Sequence, residues 1–502
     1  MALIFESRGL FWFAKDDPPE GTMVPKNSMP GNLTIREDGL SRVALDGWLT
    51  EGLRSAIDLS NTGERLPGLI RGFLYRDAEF VLLSDLDIAS THTNFAGANR
   101  EEIVATYCLR GCWPPLGANG KPVVQEFEID LLALEGWIRP PLIRARSTVT
   151  EGPKITQTFE YWQERWNFAI DGRDLSVRIG VDHDFTNSNV FGSKRVEFSS
   201  TAILGYKSHD AMEFSTVRNA VMHLQEFFAL IMGTYIELAW PQVTERSEGG
   251  FERHGVLYFQ RHLSMNREVS ITDLWTLFKD VKDSLGGLFK AFLQRREELG
   301  PGLYLYLACM RTQSMFPENR FTTLMTGIES LYRRDAELPQ LSTRDQQRIE
   351  RIISSVQTES DKKWLERKLA SRSELSLEDR LRRLLSPLDE LIEPTCLAGF
   401  AEKCAGLRND ITHFGGLRGD CTHSELMTRL QALTPALADL YHALLLLRIG
   451  FTRYAVIGAL KASPASHKTK EHLKLAGLEI VGHNNLATYR LDSDESYPSP
   501  IE

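Results

Sequence analysis

The stretch Leu407-Arg408-Asn409-Asp410-Ile411-Thr412-His413-Phe414-Gly415-Gly416 reads as the last turns of a helix. Phe400, Cys404, Leu407 and Ile411 recur on one face, and Gly415 or Gly416 supplies the positive-φ residue that stops it. Arg408 and His413 stand just before that stop. Residues five apart lie about 140° round a regular helix, so these two flank a polar surface, while Asn409 falls under His413 at i, i+4. Two readings follow. Cations near a helix C-terminus favour the macrodipole whatever else they do. Equally, an arginine, a histidine and an amide able to orient it are what RNA cleavage without a metal requires. A zinc site from Cys404, His413, Cys421 and His423 is a third arrangement, but its spacing is unlike that of common zinc knuckles.

Around this stretch the pattern is helical back to Gly300-Pro301-Gly302, a breaker that marks a domain boundary. A helix from Ile271 to about Glu298 leads into it. Beyond it, Phe321, Leu324, Met325, Ile328, Leu331 and Tyr332 keep i, i+3, i+4 spacing, and Ile349, Ile352, Ile353 and Val356 give another amphipathic stretch. Ser376-Leu377-Glu378-Asp379 resembles a capping box opening the helix of Leu381, Leu384 and Leu385. One long helix is expected from Ser424 to Leu460, with Pro435 as a kink. Residues 300–462 therefore read as an all-α bundle large enough for its own core. Residues 463–502 read as a tail, partly disordered, ending in the acidic run Asp492-Ser493-Asp494-Glu495.

The N-terminal side has period two instead. Leu33 and Ile35, then Val43 and Leu45, flank the turn Glu37-Asp38-Gly39, and a second hairpin joins Leu69–Tyr75 to Glu79–Ile88. Leu175, Val177, Ile179 and Val181 alternate in the same way. Seven of the nine tryptophans precede residue 241, and Trp12, Trp48, Trp113 and Trp137 sit beside apolar residues or glycine, which suits a β core better than ligand stacking. Residues 1–299 are thus a β-rich, sandwich-like region with possible division at about residue 200, after which Ser215–Met232 turns helical. The fold class is α+β. No Walker A loop, GxGxxG, GxSxG or HExxH occurs, and Asp182-His183-Asp184 reads as a strand end rather than a metal site.

Composition narrows the function classes. The chain has 502 residues, a net charge of −9, 42% hydrophobic and 25% charged residues, so a nucleic-acid site must be a local patch rather than the whole surface. Six scattered cysteines suit reduced thiols, and no stretch reads as a signal peptide or as the roughly 20 apolar residues of a membrane span. The expectation is a cytoplasmic protein without membrane, metal or cofactor. The spacing Arg-x4-His itself is weak, since it occurs four times: Arg178/His183, Arg218/His223, Arg408/His413 and Arg418/His423. Only the third ends a helix within a bundle beside two glycines.

Glu318-Asn319-Arg320-Phe321 through Glu329-Ser330-Leu331-Tyr332, a Lys/Arg-rich pair of middle helices, and Leu407 through His413 together resemble the HEPN domain, the higher eukaryotes and prokaryotes nucleotide-binding superfamily. Gly31-Asn32-Leu33-Thr34-Ile35 followed by Leu45-Asp46-Gly47-Trp48-Leu49 looks like the domain preceding HEPN in ApeA-type bacterial anti-phage proteins. The resemblance implies a metal-independent endoribonuclease of host RNA, tRNA among the substrates, acting as a homodimer after an infection trigger that a phage protein can supply. It implies Arg408, His413 and Asn409 as catalytic residues. Lys362, Lys363, Arg367 and Lys368, with Arg372, Arg382 and Arg383, form a basic track for the RNA, although solvated helix faces explain them as well. The alternative is a non-catalytic HEPN scaffold for RNA binding or dimerisation, with the β-rich half as a ligand- or protein-binding module.

Overall fold

A computed structural model describes residues 2–481 apart from 17–21, 50–64, 67, 93–99, 112–123, 132–133, 139–143, 150–154, 161–162, 188–193, 247–251, 262–268, 313, 336–342, 371–374 and 417–421. Trp113, Arg372, Arg418, Cys421 and the acidic tail lie outside the described residues. The chain is mixed α+β, strands first and helices after, and it divides into two compact units: Met1–Gln225 with Ile236–Val269, and Glu226–Tyr235 with Ser270–Glu502.

The first unit is built on β1 (Leu3–Phe13), β2 (Met29–Arg36), β3 (Ser41–Leu45), β4 (Arg65–Leu66), β5 (Ile70–Leu74), β6 (Phe80–His92), β7 (Arg100–Gly111) and β8 (Val124–Asp130). It continues with β9 (Arg144–Val149), β10 (Ile155–Glu160), β11 (Glu164–Ile170), β12 (Arg173–Asn187), β13 (Lys194–Met212), β14 (Gln242–Arg246) and β15 (Glu252–Phe259). Both expected hairpins form: Leu33 pairs with Val43 across a turn whose Gly39 has φ +79°, and Ile70 pairs with Leu83.

The described strands fall into two sheets, of which β9 and β10 make the smaller. Thirteen of them form one antiparallel sheet, and β1, β2, β3, β7, β6 and β5 pair in a closed ring, because β7 bonds β6 along one edge and β3 along the other. The far half of β7 pairs instead with β15, which leads the sheet out of the barrel through β14, β8, β13 and β12 to β11. Phe11, Leu33, Ile35, Val43, Ile70, Leu83, Ile103 and Cys108 fill the barrel, each from the apolar phase of its strand. Alternation defines a buried face but does not say whether a second sheet or the sheet's own curvature covers it. Trp12 and Trp137 are fully buried, in keeping with their core reading.

Two helices follow strands of this region: α1 (Glu135–Ile138) and α2 (Phe214–Met232), the latter passing from the first unit into the second. The second unit continues with α3 (Phe278–Val281), α4 (Leu285–Arg311), α5 (Pro317–Arg334), α6 (Thr343–Ser354) and α7 (Glu359–Ala370). It ends with α8 (Leu377–Leu385), α9 (Pro394–Phe414), α10 (His423–Arg448), α11 (Arg453–Ala462) and α12 (Ser466–Leu475).

Gly300-Pro301-Gly302 interrupts α4 with a kink that joins two helical segments. Gly300 adopts φ +45°, ψ −130°, and Pro301 has no N–H for the Glu297 carbonyl; Arg334 at the end of α5 donates its Nη1 to that oxygen at 2.7 Å. A long-range side chain thus satisfies the carbonyl that the proline leaves without a backbone donor, at the junction of the two segments. By compactness the chain divides near residue 270, and separate short elements, Ile271–Asp273 and Phe278–Val281, follow where one long helix is expected.

The bundle packs tightly at its glycines. Tyr441 Oη donates to the Gly302 carbonyl at 2.6 Å, and a methyl group on Gly327 would stand 2.6 Å from the same Oη. The expected single helix to Leu460 breaks at Gly450, φ +103°, into α10 and α11. The start of the expected tail is folded: Leu473 of α12 is buried, and Ile480 bridges to Ile392. By length and composition α10 is able to cross a bilayer, contrary to the expectation that no stretch qualifies, but most of its apolar window is buried within the bundle.

Candidate active site

The opening stretch is the end of α9, stopped as its glycines require: Gly415 has φ +67° and donates its N–H to the Ile411 carbonyl at 3.1 Å. The apolar stripe faces inward, with Phe400, Cys404 and Leu407 buried, while Arg408, Asn409 and Asp410 are half-buried and Thr412 and His413 exposed. Among the described residues, nothing lies within 4 Å of a Cβ built on Gly415 or Gly416. Gly399 and Gly406, one heptad apart on the same helix, are equally open.

Arg408 does not simply extend into solvent. Its Nη2 lies 3.1 Å from Oε1 of Glu329 on α5, with side-chain exposures of 26% and 14%. Its Nη1 points at Oδ1 of Asn409 at 3.4 Å. The amide thus turns toward the guanidinium, whereas helix spacing alone places it under His413. A planar fork fixed at one edge keeps its remaining N–H groups for another acceptor, such as a phosphate oxygen. His413 occupies the exposed last turn, free of the core, where an imidazole can meet a ligand and exchange a proton with it.

Glu329 is the residue that helix-end reasoning misses. Its signal is present: counted from Met325 and toward Tyr332, it sits at i+4 and i−3, an acid in line with the apolar face of α5. An acid there needs a cation from a neighbouring helix.

The other candidates separate. Lys362 is half-buried and Lys363 exposed on α7; Arg367 and Lys368 follow one turn on in the same helix, and their side chains lie outside the described residues. Arg382 pairs with Glu378 at 2.8 Å and Arg383 is exposed, both on α8. The zinc arrangement loses Cys404, which is buried on the far side of the helix from His413 with its thiol pushed up by burial. Among the described residues no cluster of three His, Cys, Asp or Glu side chains could hold a metal ion. Of the repeated spacings, Arg178 pairs with Glu128 at 3.6 Å across β12 and β8, and Arg218 and His223 lie mid-helix on α2 and are half-buried. His423 opens α10.

The most buried histidine among the described residues is not a site either. His442, on α10, bonds Tyr306 Oη through Nδ1 at 2.8 Å and meets Trp275 edge-on at 4.3 Å; burial pushes its pKa down to about 3. It is a neutral core imidazole.

Two sequence profiles match. The one described as ApeA N-terminal domain 1 covers residues 6–291, and the one described as Apea-like HEPN covers residues 322–454. The second runs from α5 into the start of α11 and so contains Glu329, Arg408, Asn409 and His413. Neither a curated protein nor a solved structure matches the chain.

Proposed function

From the premise that the chain belongs to the ApeA family of HEPN-containing anti-phage proteins, we propose that it is a metal-independent endoribonuclease centred on Arg408 and His413. The observation that carries the reading is the end of α9: a half-buried arginine held by Glu329, an exposed histidine, and two glycines that no described side chain crowds. The reaction these groups suit is attack of a ribose 2′-oxygen on the adjacent phosphorus. The new P–O2′ bond forms as the P–O5′ bond breaks, leaving a 2′,3′-cyclic phosphate and a 5′-hydroxyl. A base takes the 2′ proton, an acid protonates the departing 5′-oxygen, and the guanidinium offsets the charge that builds on the phosphoryl oxygens. One chain supplies one imidazole at this helix end, so two His413 residues from a two-fold dimer fill both roles. The exposed face of α9, flattened by Gly399 and Gly406, allows close approach of a second copy. Host RNA is the substrate of this reading, tRNA the first to test, and the β-rich unit is the receiver of the infection signal.

The Arg408–Glu329 pair also favours a second reading, since it ties α9 to α5 and accounts for Arg408 without chemistry. There the bundle is a scaffold that binds RNA or dimerises and does not cut. The deciding experiment is cleavage of end-labelled tRNA in EDTA by the full chain, supplied with the trigger if the resting form is silent. His413→Ala is expected to lower the rate by roughly 10²- to 10⁴-fold. Equal cleavage by the two proteins removes the catalytic assignment.

A further inference from the structure

Trp364 is 57% exposed on α7, a large aromatic residue set in water in the middle of a charged helix. Among the residues of α6 and α7 whose burial is described, none is buried; the hairpin adds little to the bundle's core. Its charge is also asymmetric. The acids Glu359 and Asp361 stand in the first turn of α7, where they complement the helix dipole. From Lys362 to Arg372 the sequence carries five cations (Lys362, Lys363, Arg367, Lys368 and Arg372) against one acid, Glu366, in a chain of net charge −9. An exposed indole interleaved with cations is the composition of a single-strand platform: the ring offers a face to any base, and the cations follow the phosphates.

Covalent connection joins this platform to the helices that build the candidate active site. Ala370 and Leu375 are five residues apart, hence no more than about 18 Å. Leu375 accepts from Nε of Arg380, whose guanidinium stands 6.0 Å from the centre of the Tyr332 ring. Tyr332 lies one turn along α5 from Glu329, the residue that grips Arg408.

We propose that the α6–α7 hairpin is a docking arm for unpaired RNA, with Trp364 stacking on one base while the neighbouring Lys362 and Lys363 meet its phosphates. This deepens the ribonuclease reading and rests on it: the substrate class it selects is RNA with a single-stranded loop or end, since a base inside a duplex has no free face to offer.

The test uses the full-length chain carrying His413→Ala, so that bound RNA survives. The probes are a fluorescein-labelled 12-nucleotide RNA without self-complementarity and the same strand annealed to its complement, titrated by anisotropy. Trp364→Ala is expected to weaken single-strand binding by roughly 5- to 150-fold, the span of one lost base stack. Duplex binding should stay within about twofold, and Trp364→Phe, which keeps an aromatic face, should retain most of the affinity. Single-strand affinity unchanged in Trp364→Ala, equal loss on both probes, or no binding by any of the proteins each overturns the proposal. So does a change of sedimentation with RNA affinity intact, which assigns the face to a second copy of the chain. With His413 restored, Trp364→Ala should raise KM and leave kcat unchanged. Cleavage indifferent to His413 sinks the ribonuclease reading while the binding result stands by itself, so the two failures are distinguishable.

Discussion

Substituting Arg408 alone is a poor test of its role, because it disturbs two things at once. Arg408→Ala removes the candidate phosphate ligand and also strands Glu329, whose side chain is only 14% exposed. Losing one partner of a fully buried ion pair costs about 3–5 kcal/mol, whereas exposed pairs contribute about 0–1 kcal/mol. With Arg408 26% exposed, the expected cost lies between these, at about 1–3 kcal/mol. The helical unit comprises roughly 240 residues, for which each kcal/mol lowers the melting midpoint by about 2–4 °C. Arg408→Ala should therefore melt about 2–12 °C early and also lose cleavage. The informative protein is Arg408→Met with Glu329→Leu, which removes both charges and keeps the volume. Its melting midpoint should return to within about 2 °C of the parent, because no unpaired carboxylate remains. Its cleavage of tRNA should stay as low as that of Arg408→Ala if the guanidinium meets the phosphate. Recovery of cleavage together with stability would refute the catalytic role and leave Arg408 as a tie between α9 and α5.

The remaining predictions concern the scaffold. His442 is neutral in the fold, its pKa pushed down to about 3 by burial against an ordinary value of 6.5. A depressed folded pKa means that the unfolded chain binds the extra proton, so the stabilisation is complete above about pH 6.5 and is lost as pH falls toward 3. The slope is at most about 1.4 kcal/mol per pH unit from this group, or about 2 kcal/mol by pH 5. Urea unfolding of the parent and of His442→Gln should differ in that acid slope, and parallel slopes would contradict the assignment. Gly327→Ala places a methyl group 2.6 Å from Tyr441 Oη, where the hydroxyl already donates to the Gly302 carbonyl. It should destabilise the helical unit by about 1–3 kcal/mol, read as an earlier melting midpoint, whereas Gly406→Ala, whose Cβ meets nothing within 4 Å, should not.

Much of this molecule is legible one residue at a time. The alternation of Leu33, Ile35, Val43 and Leu45 specifies strands, and the spacing of Phe321, Leu324, Ile328 and Leu331 specifies α5, because each period leaves one buried face whatever lies opposite. The helix end at Gly415 follows from its own composition, since glycine reaches positive φ without penalty. Partners distant in sequence leave no such trace. That β7 closes a barrel with β6 while sharing its other edge between β3 and β15 is a matter of curvature and pairing choice. That the Glu297 carbonyl, left without a backbone donor by Pro301, is met by Arg334 from the next helix is set by packing as well. The stretch from Leu407 to Gly416 combines both kinds of information. Its helix, its stop and the exposure of His413 come from local sequence. Arg408 acquires its geometry only when folding brings Glu329 within 3.1 Å, because an ion pair is set by distance in space and not along the chain.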